Sequence, residues 1–462
     1  MSRLKGACDL SSGVVKAHIN LGVALEQKGR TEEASLAYQQ ALSLTPDDPE
    51  ILIKLGNAYA QLKRIDDATA ALQQALRLNP SSIETLNSLG IMHRDIGQFE
   101  EAITLYKRAL EIDPQKVEII CNLAIALTDA TQLQEAEAAC LQALSIKPAY
   151  AEAYQQLSDN LHYQQRYDDW DATLDSALKK ADLSPDSRNH MLISKAIIAW
   201  IDSDHEACRK HLEKASSILS QPVTDKATYS ALGYYKFLQA LVEYRDNNTS
   251  LYKQQDVKAF HMIGDSHCLS YANTVIRFEG EPHRVTPHLI MGCKAWHLSQ
   301  EKPNICKTSL DLVIEQISPA ATVMVSFGEI DCRPDEGIFP AHKKLGTDLA
   351  TSIKSLTCDY VQSVLSRTKA KKLRVLFYGV PAPNCSLKHL SEEDKAIYLN
   401  TVKLFNQFLA KAAAQAGCSF LDPYQETATE QGIANTEFHI DPFHLAPNFL
   451  GHLIACESEA DN

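Results

Sequence analysis

Val257-Lys258-Ala259-Phe260-His261-Met262-Ile263-Gly264-Asp265-Ser266-His267 reads as a buried strand that breaks at a glycine into the first turn of a helix. The apolar content up to Ile263 suits a strand covered on both faces, and Cys268–Val275 can continue as a helix. Ser266 then stands at the carboxyl end of a strand and the start of a helix, where free N–H groups and the helix dipole favour negative charge. A serine that attacks an acyl carbon needs such a place, because its transition state is an oxyanion. Gly-Asp-Ser is also ordinary turn chemistry, so the case depends on what the rest of the chain supplies.

A serine hydroxyl needs a base to accept its proton, and that base must be held in one tautomer. Asp441-Pro442-Phe443-His444, about 180 residues downstream, offers both partners in a short loop before a final helix. The bland alternative is an N-cap aspartate followed by a surface histidine. The chain order Ser…Asp…His favours the catalytic reading. Between these blocks, Ala321–Phe327 reads as another buried strand, ending in Gly328-Glu329-Ile330-Asp331-Cys332-Arg333. Gly264, Gly328 and Gly379 all terminate candidate strands, where glycine permits a sharp turn or a close ligand approach. Strands are expected at 257–263, 285–291, 321–327, 372–378 and 418–421, alternating with helices near 267–278, 344–368, 391–416 and 446–456. Such alternation implies a parallel sheet covered on both faces, with ligands bound outside the carboxyl ends of the strands.

Gly-Asp-Ser at the first strand, a glycine after the second, Gly-x-x-Asp after the third and Asp-x-x-His near the end together resemble the SGNH, or GDSL-type, hydrolases over residues 256–456. The resemblance implies an α/β/α three-layer, flavodoxin-like domain with a mostly parallel five-stranded sheet. It also implies Ser266 as nucleophile and first oxyanion donor, Gly292 as a second backbone donor, His444 as base and Asp441 as its orienter, with Gly328 at the substrate end of the third strand. The departure is Ile330, which stands where the family has an asparagine that donates to the oxyanion. Losing such a donor costs about 3–4 kcal/mol of transition-state stabilisation. Arg333 is expected to reach the Ser266 pocket and replace it with a charged donor; the competing reading is a salt bridge with Glu329, Asp331 or Asp335.

The N-terminal half carries a different signal. Gly22, Gly56 and Gly90 recur every 34 residues, with Ala124 and Ser158 continuing the register. Ala34, Ala68, Ala102 and Ala136 share the period, as do Ala41, Ala75, Ala109, Ala143 and Ala177, and Pro46, Pro80, Pro114 and Pro148 close each unit. This pattern resembles the tetratricopeptide repeat, a helix–turn–helix unit. Small residues let paired helices approach, while Leu21, Leu55, Leu89, Leu123 and Leu157 are expected to fill the core. The organisation read from this is a tail (1–14), five repeats (15–184, the last with Trp170 in an alanine column), and a degenerate sixth repeat with capping helices (185–245). A linker (246–255), the hydrolase-like domain (256–456) and a tail (457–462) follow. Tyr234-Tyr235-Lys236-Phe237-Leu238 is assigned to the solenoid cap, and a cut near Asn248 is expected to leave two soluble halves.

A net charge of −13 disfavours nucleic acid and anionic membranes as partners. No apolar run is long enough for a membrane span, and no secretory signal is expected from the opening residues. The 12 cysteines show no zinc spacing and suit a reducing, cytoplasmic setting. No metal or cofactor is expected, despite histidines at 261, 267, 283, 288, 297, 439 and 444. His267, beside the nucleophile, is singled out as able to alter the basicity of the site. The leading function is a serine ester hydrolase removing a small acyl group from a carbohydrate or protein-linked substrate, with a protein or peptide partner in the repeat groove. An acyltransferase with the same acyl-enzyme, and a non-catalytic scaffold, are the alternatives.

Overall fold

The computed structural model describes residues 2–220, 222–223, 226–253, 257–384, 387 and 390–460, of which 2–12, 345 and 457–460 are described by backbone alone. Met1, residues 254–256 at the expected domain junction and the final two residues lie outside the described residues. The chain divides into two compact units, Met1–Asn160 and Leu161–Asn462.

The first unit is a run of helix pairs: Ser2–Glu26 with Thr31–Leu44, Pro49–Gln61 with Ile65–Leu78, Ile83–Asp95 with Phe99–Ile112, and Val117–Asp129 with Leu133–Ile146. Residues 2–14, expected as a tail, belong to the first helix. The small-residue columns have a direct steric cause. A Cβ on Gly22, Gly56 or Gly90 would stand 2.3, 2.6 and 2.5 Å from the side chains of Tyr38, Leu72 and Tyr106. The alanines at 34, 68, 102 and 136 are fully buried beneath the same contacts. Leu55, Leu89, Leu123 and Leu157 are buried as expected, but Leu21 is half exposed. Asp48 starts its helix by accepting the N–H groups of Glu50 and Ile51, with Pro49 at the first helical position.

The second unit is built on a six-stranded sheet in the order β2-β3-β1-β4-β5-β6. The strands are β1 (Lys258–Gly264), β2 (Val275–Phe278), β3 (Glu281–Leu289), β4 (Thr322–Ser326), β5 (Arg374–Tyr378) and β6 (Ser419–Leu421). The sheet is therefore mixed, and not the mostly parallel five-stranded one expected: β2 runs antiparallel to β3 at the edge, while the other pairings are parallel. The extra strand replaces most of the helix expected over 267–278, which spans only His267–Ser270. Asn273 turns the chain with φ +64°, a left-handed conformation asparagine tolerates, and the β-branched Thr274-Val275-Ile276 that follows favours a strand. Glu279 and Gly280, at φ +52° and +82°, then close a tight hairpin.

Side chains alternate across the sheet. Ile263, Val323, Val325, Val375 and Phe377 face one way, into a core with the helices Ile305–Gln316, Leu349–Thr368 and Glu392–Gln415. Phe260, Met262, Met324, Leu376 and Tyr378 face the other way, and their partners include Leu192, Trp200, Tyr235, Phe237 and Leu238. Those partners lie on Pro185–Ile201 and Lys226–Asn247, the helices that the sequence reading gave to the solenoid. Trp200 is fully buried and donates its indole N–H to the carbonyl of Leu269 at 2.9 Å. Asn273 in turn donates to the carbonyls of Trp200 and Ile201. The expected linker is mostly ordered: Asp246 and Asn247 end a helix and Thr249–Tyr252 forms a 3-10 turn. Among the described residues, no helix is long and apolar enough to cross a membrane.

A boundary at residues 246–255 would therefore strip one face of the sheet. Each large apolar side chain exposed costs roughly 1.5–3 kcal/mol, and a domain has only about 5–15 kcal/mol to lose. A fragment starting at Thr249 is expected to lose its cooperative melt and its near-ultraviolet circular dichroism, whereas one starting at Leu161 keeps both. A sharp melt from the shorter fragment would contradict the shared core.

Candidate active site

Every segment singled out in the sequence follows the carboxyl end of a strand or packs there. The connections from β1 lead to one side of the sheet through β2 and β3, and then to the other side through β4. This leaves a crevice at the end of β1, where winding reverses. Asp265 and Ser266 follow β1 directly. Gly264 has no room for a side chain, since a Cβ there would lie 2.8 Å from the Ser326 carbonyl on β4.

The structure brings Ser266, His444 and Asp441 together. Ser266 Oγ lies 2.8 Å from His444 Nε2, and His444 Nδ1 lies 2.7 Å from Asp441 Oδ2. The carboxylate beside Nδ1 fixes the tautomer: Nδ1–H donates to Asp441, which leaves Nε2 as acceptor for the serine hydroxyl. The other oxygen of Asp441 accepts the N–H groups of Phe443 and His444, both at 2.7 Å. Burial alone would raise the Asp441 pKa, but the imidazole and these two N–H groups outweigh it and hold it below the usual carboxylate range. Burial lowers His444, assisted by the positive charge of His267, against the pull of Asp441.

His267 is a fixed cation. Its Nδ1 lies 3.0 Å from Asp265 Oδ1 and its Nε2 lies 3.0 Å from the carbonyl of Phe443. Both partners are acceptors only, so both ring nitrogens must carry protons. Although burial opposes the charge, Asp265 and the Phe443 carbonyl push the pKa up to about 9. Through this second bond the imidazolium also anchors the 441–444 loop, and its ring centroid lies 4.9 Å from that of His444.

The expected oxyanion groups divide. Gly292 follows β3 in a left-handed turn at φ +69°, exposed to solvent. Among the described residues, neither its N–H nor that of Ser266 has a hydrogen-bond partner. The loop is pinned on both sides: His162 accepts the N–H of Met291, and buried Asp331 accepts those of Ala295 and Trp296. The conspicuous Asp331 is thus a support for the Gly292 loop. Gly328, at φ +135°, makes the turn out of β4, and a Cβ there would strike the Phe405 ring at 2.4 Å; its glycine is a packing requirement. Arg333 does not hydrogen-bond Ser266. It forms a two-pronged ion pair with Glu329, the closest contact 2.6 Å, and lies over the ring of Phe443 at 4.8 Å. Four residues apart on one short turn, the two side chains satisfy each other, so the competing salt-bridge reading describes the geometry.

Sequence reasoning placed one neighbour of the site in the wrong part of the chain's organisation. Phe237 stacks on the His444 ring, centroids 3.7 Å apart and planes at 15°. Tyr234 lies three residues earlier on the same helix, its phenol pushed well above the usual range by burial, with the nearby charge of Asp265 adding to the shift. The aromatic run 234–238 was the available signal, but helical periodicity upstream tied it to the repeats. Beside the triad, Glu329, Val380, Pro383, Tyr398 and Phe443 line a small cleft. Among the described residues three sets of donors have ligand atoms within 4.8 Å of one another: Cys293, His297 and Cys306; Glu426, His452 and Cys456; and Asp265, His267 and Glu329. Each set has three members, one short of a closed zinc site.

Comparison with known proteins bears on the first unit. Residues 22–63 match a TPR repeat model, and 47–115 and 95–161 match tetratricopeptide repeat models. Residues 22–161 are thus tetratricopeptide repeats. PilF of Pseudomonas aeruginosa is similar over 50% of this chain and 98% of its own, at 17% identity and a TM-score of 0.39. MamA is similar over 34% and 93%, at 26% identity and a TM-score of 0.32. A thermophilic TPR protein of Thermus thermophilus is similar over 39% and 98%, at 22% identity and a TM-score of 0.34. No curated protein matches the chain.

The buried ion pair has a pH signature. A histidine raised from 6.5 to about 9 on folding contributes stability that is complete below pH 6.5 and is lost as pH rises through about 9. The size is on the order of 3 kcal/mol. Urea midpoints measured from pH 6 to 10 are expected to fall for the wild type and to change much less for His267→Gln. Parallel curves would show that His267 is not held as a cation.

Proposed function

We propose that this protein is a serine ester hydrolase of the SGNH type, which removes a small acyl group from a carbohydrate or protein-linked substrate. Its tetratricopeptide repeats recruit a protein or peptide partner, and it works in the cytoplasm. The observation that carries the reading is the unbroken hydrogen-bond chain from Ser266 through His444 to Asp441, anchored by the N–H groups of its own loop. Support also comes from the strand order: leaving out edge strand β2, the remaining five run β3-β1-β4-β5-β6, the order of flavodoxin-like sheets.

In this mechanism Ser266 Oγ attacks the acyl carbon as its proton passes to His444 Nε2, and Asp441 stabilises the resulting imidazolium. The N–H groups of Ser266 and Gly292 receive the oxyanion. Collapse expels the alcohol, protonated by His444, and water then releases the acid by the same steps in reverse order. Arg333, neutralised by Glu329, shapes the Phe443 side of the cleft and is not itself an oxyanion donor.

A fluorophosphonate probe tests for an activated serine without knowledge of the substrate. Wild type is expected to label, and Ser266→Ala and His444→Ala to label at background, with Asp441→Asn retaining a residual rate because the orienter contributes less than the nucleophile or base. Wild type labelling no faster than Ser266→Ala would favour the scaffold alternative.

The acid limb of the rate profile gives a second test. Catalysis needs neutral His444, whose pKa lies below 6.5. Turnover of p-nitrophenyl acetate is therefore expected to persist below pH 6.5. His267→Gln removes a neighbouring positive charge, so its limb is expected to move to higher pH. A limb unmoved by that change would separate His267 from the electrostatics of the base.

A further inference from the structure

We infer that Phe237, from a helix outside the hydrolase-like region read from the sequence, is a positioning residue for His444, and that its ring face stabilises the imidazolium formed when Ser266 gives up its proton. The inference rests on the hydrolase reading above and deepens it.

The contact is face to face. The ring centroids of Phe237 and His444 lie 3.7 Å apart, with the planes at 15°. Carbon atoms in contact stand about 3.5–4.0 Å apart, so the two rings overlap with little sideways offset. Two neutral aromatic rings avoid that arrangement, because their negative faces repel, and prefer an offset or edge-on approach. A positive charge on one ring reverses the preference, since the face of the other then meets a cation. The stack therefore suits the protonated base better than the resting one. The core holds it in place: Phe237, Leu238 and Leu241 are fully buried together, so the helix has no room to slide and relieve the overlap.

The ring faces are the approach left open to the imidazolium charge, because both nitrogens are taken. Nδ1 lies 2.7 Å from Asp441 and Nε2 lies 2.8 Å from Ser266. Asp441 and Glu329 favour the charge, whereas His267, its ring centroid 4.9 Å away at a tilt of 41°, opposes it. His439 is kept neutral by burial, which lowers its pKa to about 4. Tyr234, on the helix of Phe237, is also kept neutral, its phenol raised by burial. Phe237 thus supplies an attraction without a charge of its own, where burial and His267 both work against protonation.

The attraction appears when the reaction needs it. As an Oγ lone pair forms the bond to the acyl carbon, the carbonyl π pair moves to the carbonyl oxygen and the Oγ proton moves to Nε2. His444 then carries the positive charge until the alcohol departs with that proton. Hydrolysis of the acyl-enzyme repeats the sequence with water as the proton source. Both halves pass through the imidazolium, so the slower one gains from a contact that is weak in the ground state and strong in the transition state.

Fluorinated phenylalanines at position 237 drain electron density from the ring face at nearly constant shape, which separates this role from packing. Along the series 4-fluoro, 3,5-difluoro and 3,4,5-trifluoro, kcat for p-nitrophenyl acetate is expected to fall stepwise, by about fivefold at the last, with KM nearly unchanged. The acid limb of kcat is expected to move stepwise to lower pH, because each fluorine makes the imidazolium harder to form. Phe237→Leu keeps an apolar cover but has no ring face, and its kcat is expected to fall about tenfold. A limb that stays put along the series would assign Phe237 a packing role and overturn the inference, whatever Phe237→Leu does. Wild-type kcat in Phe237→Leu would also overturn it, and both results leave the hydrolase reading intact. If wild type neither hydrolyses the ester nor labels with fluorophosphonate beyond Ser266→Ala, the hydrolase reading itself falls and takes this inference with it.

Discussion

A sheet of strands with apolar side chains on both faces cannot leave either face in water, and this requirement organises the second unit. One face is covered by helices that follow or separate the strands. The other is covered in large part by helices that precede the first strand, on Pro185–Ile201 and Lys226–Asn247. Those helices look like an extension of the repeats in sequence, yet their buried side chains belong to the sheet. Because they must lie flat on it to do so, one of them passes over the end of β1. Phe237 reaches the ring of His444 as a consequence of covering the core.

The site itself is held by charges and N–H groups more than by any single strong contact. Asp331 and His162 brace the loop that carries Gly292. The Asp265–His267 pair links the end of β1 to the carbonyl of Phe443, and thereby joins two segments far apart in the chain. Serine and histidine already sit in bonding distance, so the proposed attack asks little rearrangement of them.

Much of this was legible before any coordinates, and the reasons differ by segment. The repeat period is readable because a Cβ at Gly22, Gly56 or Gly90 collides with a fixed neighbour, which stamps the constraint on every unit. Ser266, Asp441 and His444, which the structure brings into one hydrogen-bond chain, are readable because the proposed chemistry demands particular residue types. Edge strand β2 was hidden behind a four-residue helix and a left-handed Asn273. Arg333 was misread because a cation near a strand end has two ways to be satisfied, and spacing alone does not choose between Glu329 and the serine. Phe237 was placed wrongly because the aromatic run 234–238 continues the helical sequence of the repeats, and nothing local ties it to a histidine more than 200 residues later.

The ion pairs around the serine have a consequence for how much the surroundings must respond during turnover. Asp265, Glu329 and Asp441 carry three negative charges, and His267 and Arg333 carry two positive ones, all tied to partners. Under the proposed chemistry, the proton that leaves Ser266 supplies the missing positive charge on His444. The cluster then becomes electrically balanced, and the new oxyanion is the one charge left over. A pocket arranged in this way polarises little as the reaction proceeds, because its permanent dipoles already point as the transition state requires. The work of solvation is done when the chain folds, not each time an ester arrives.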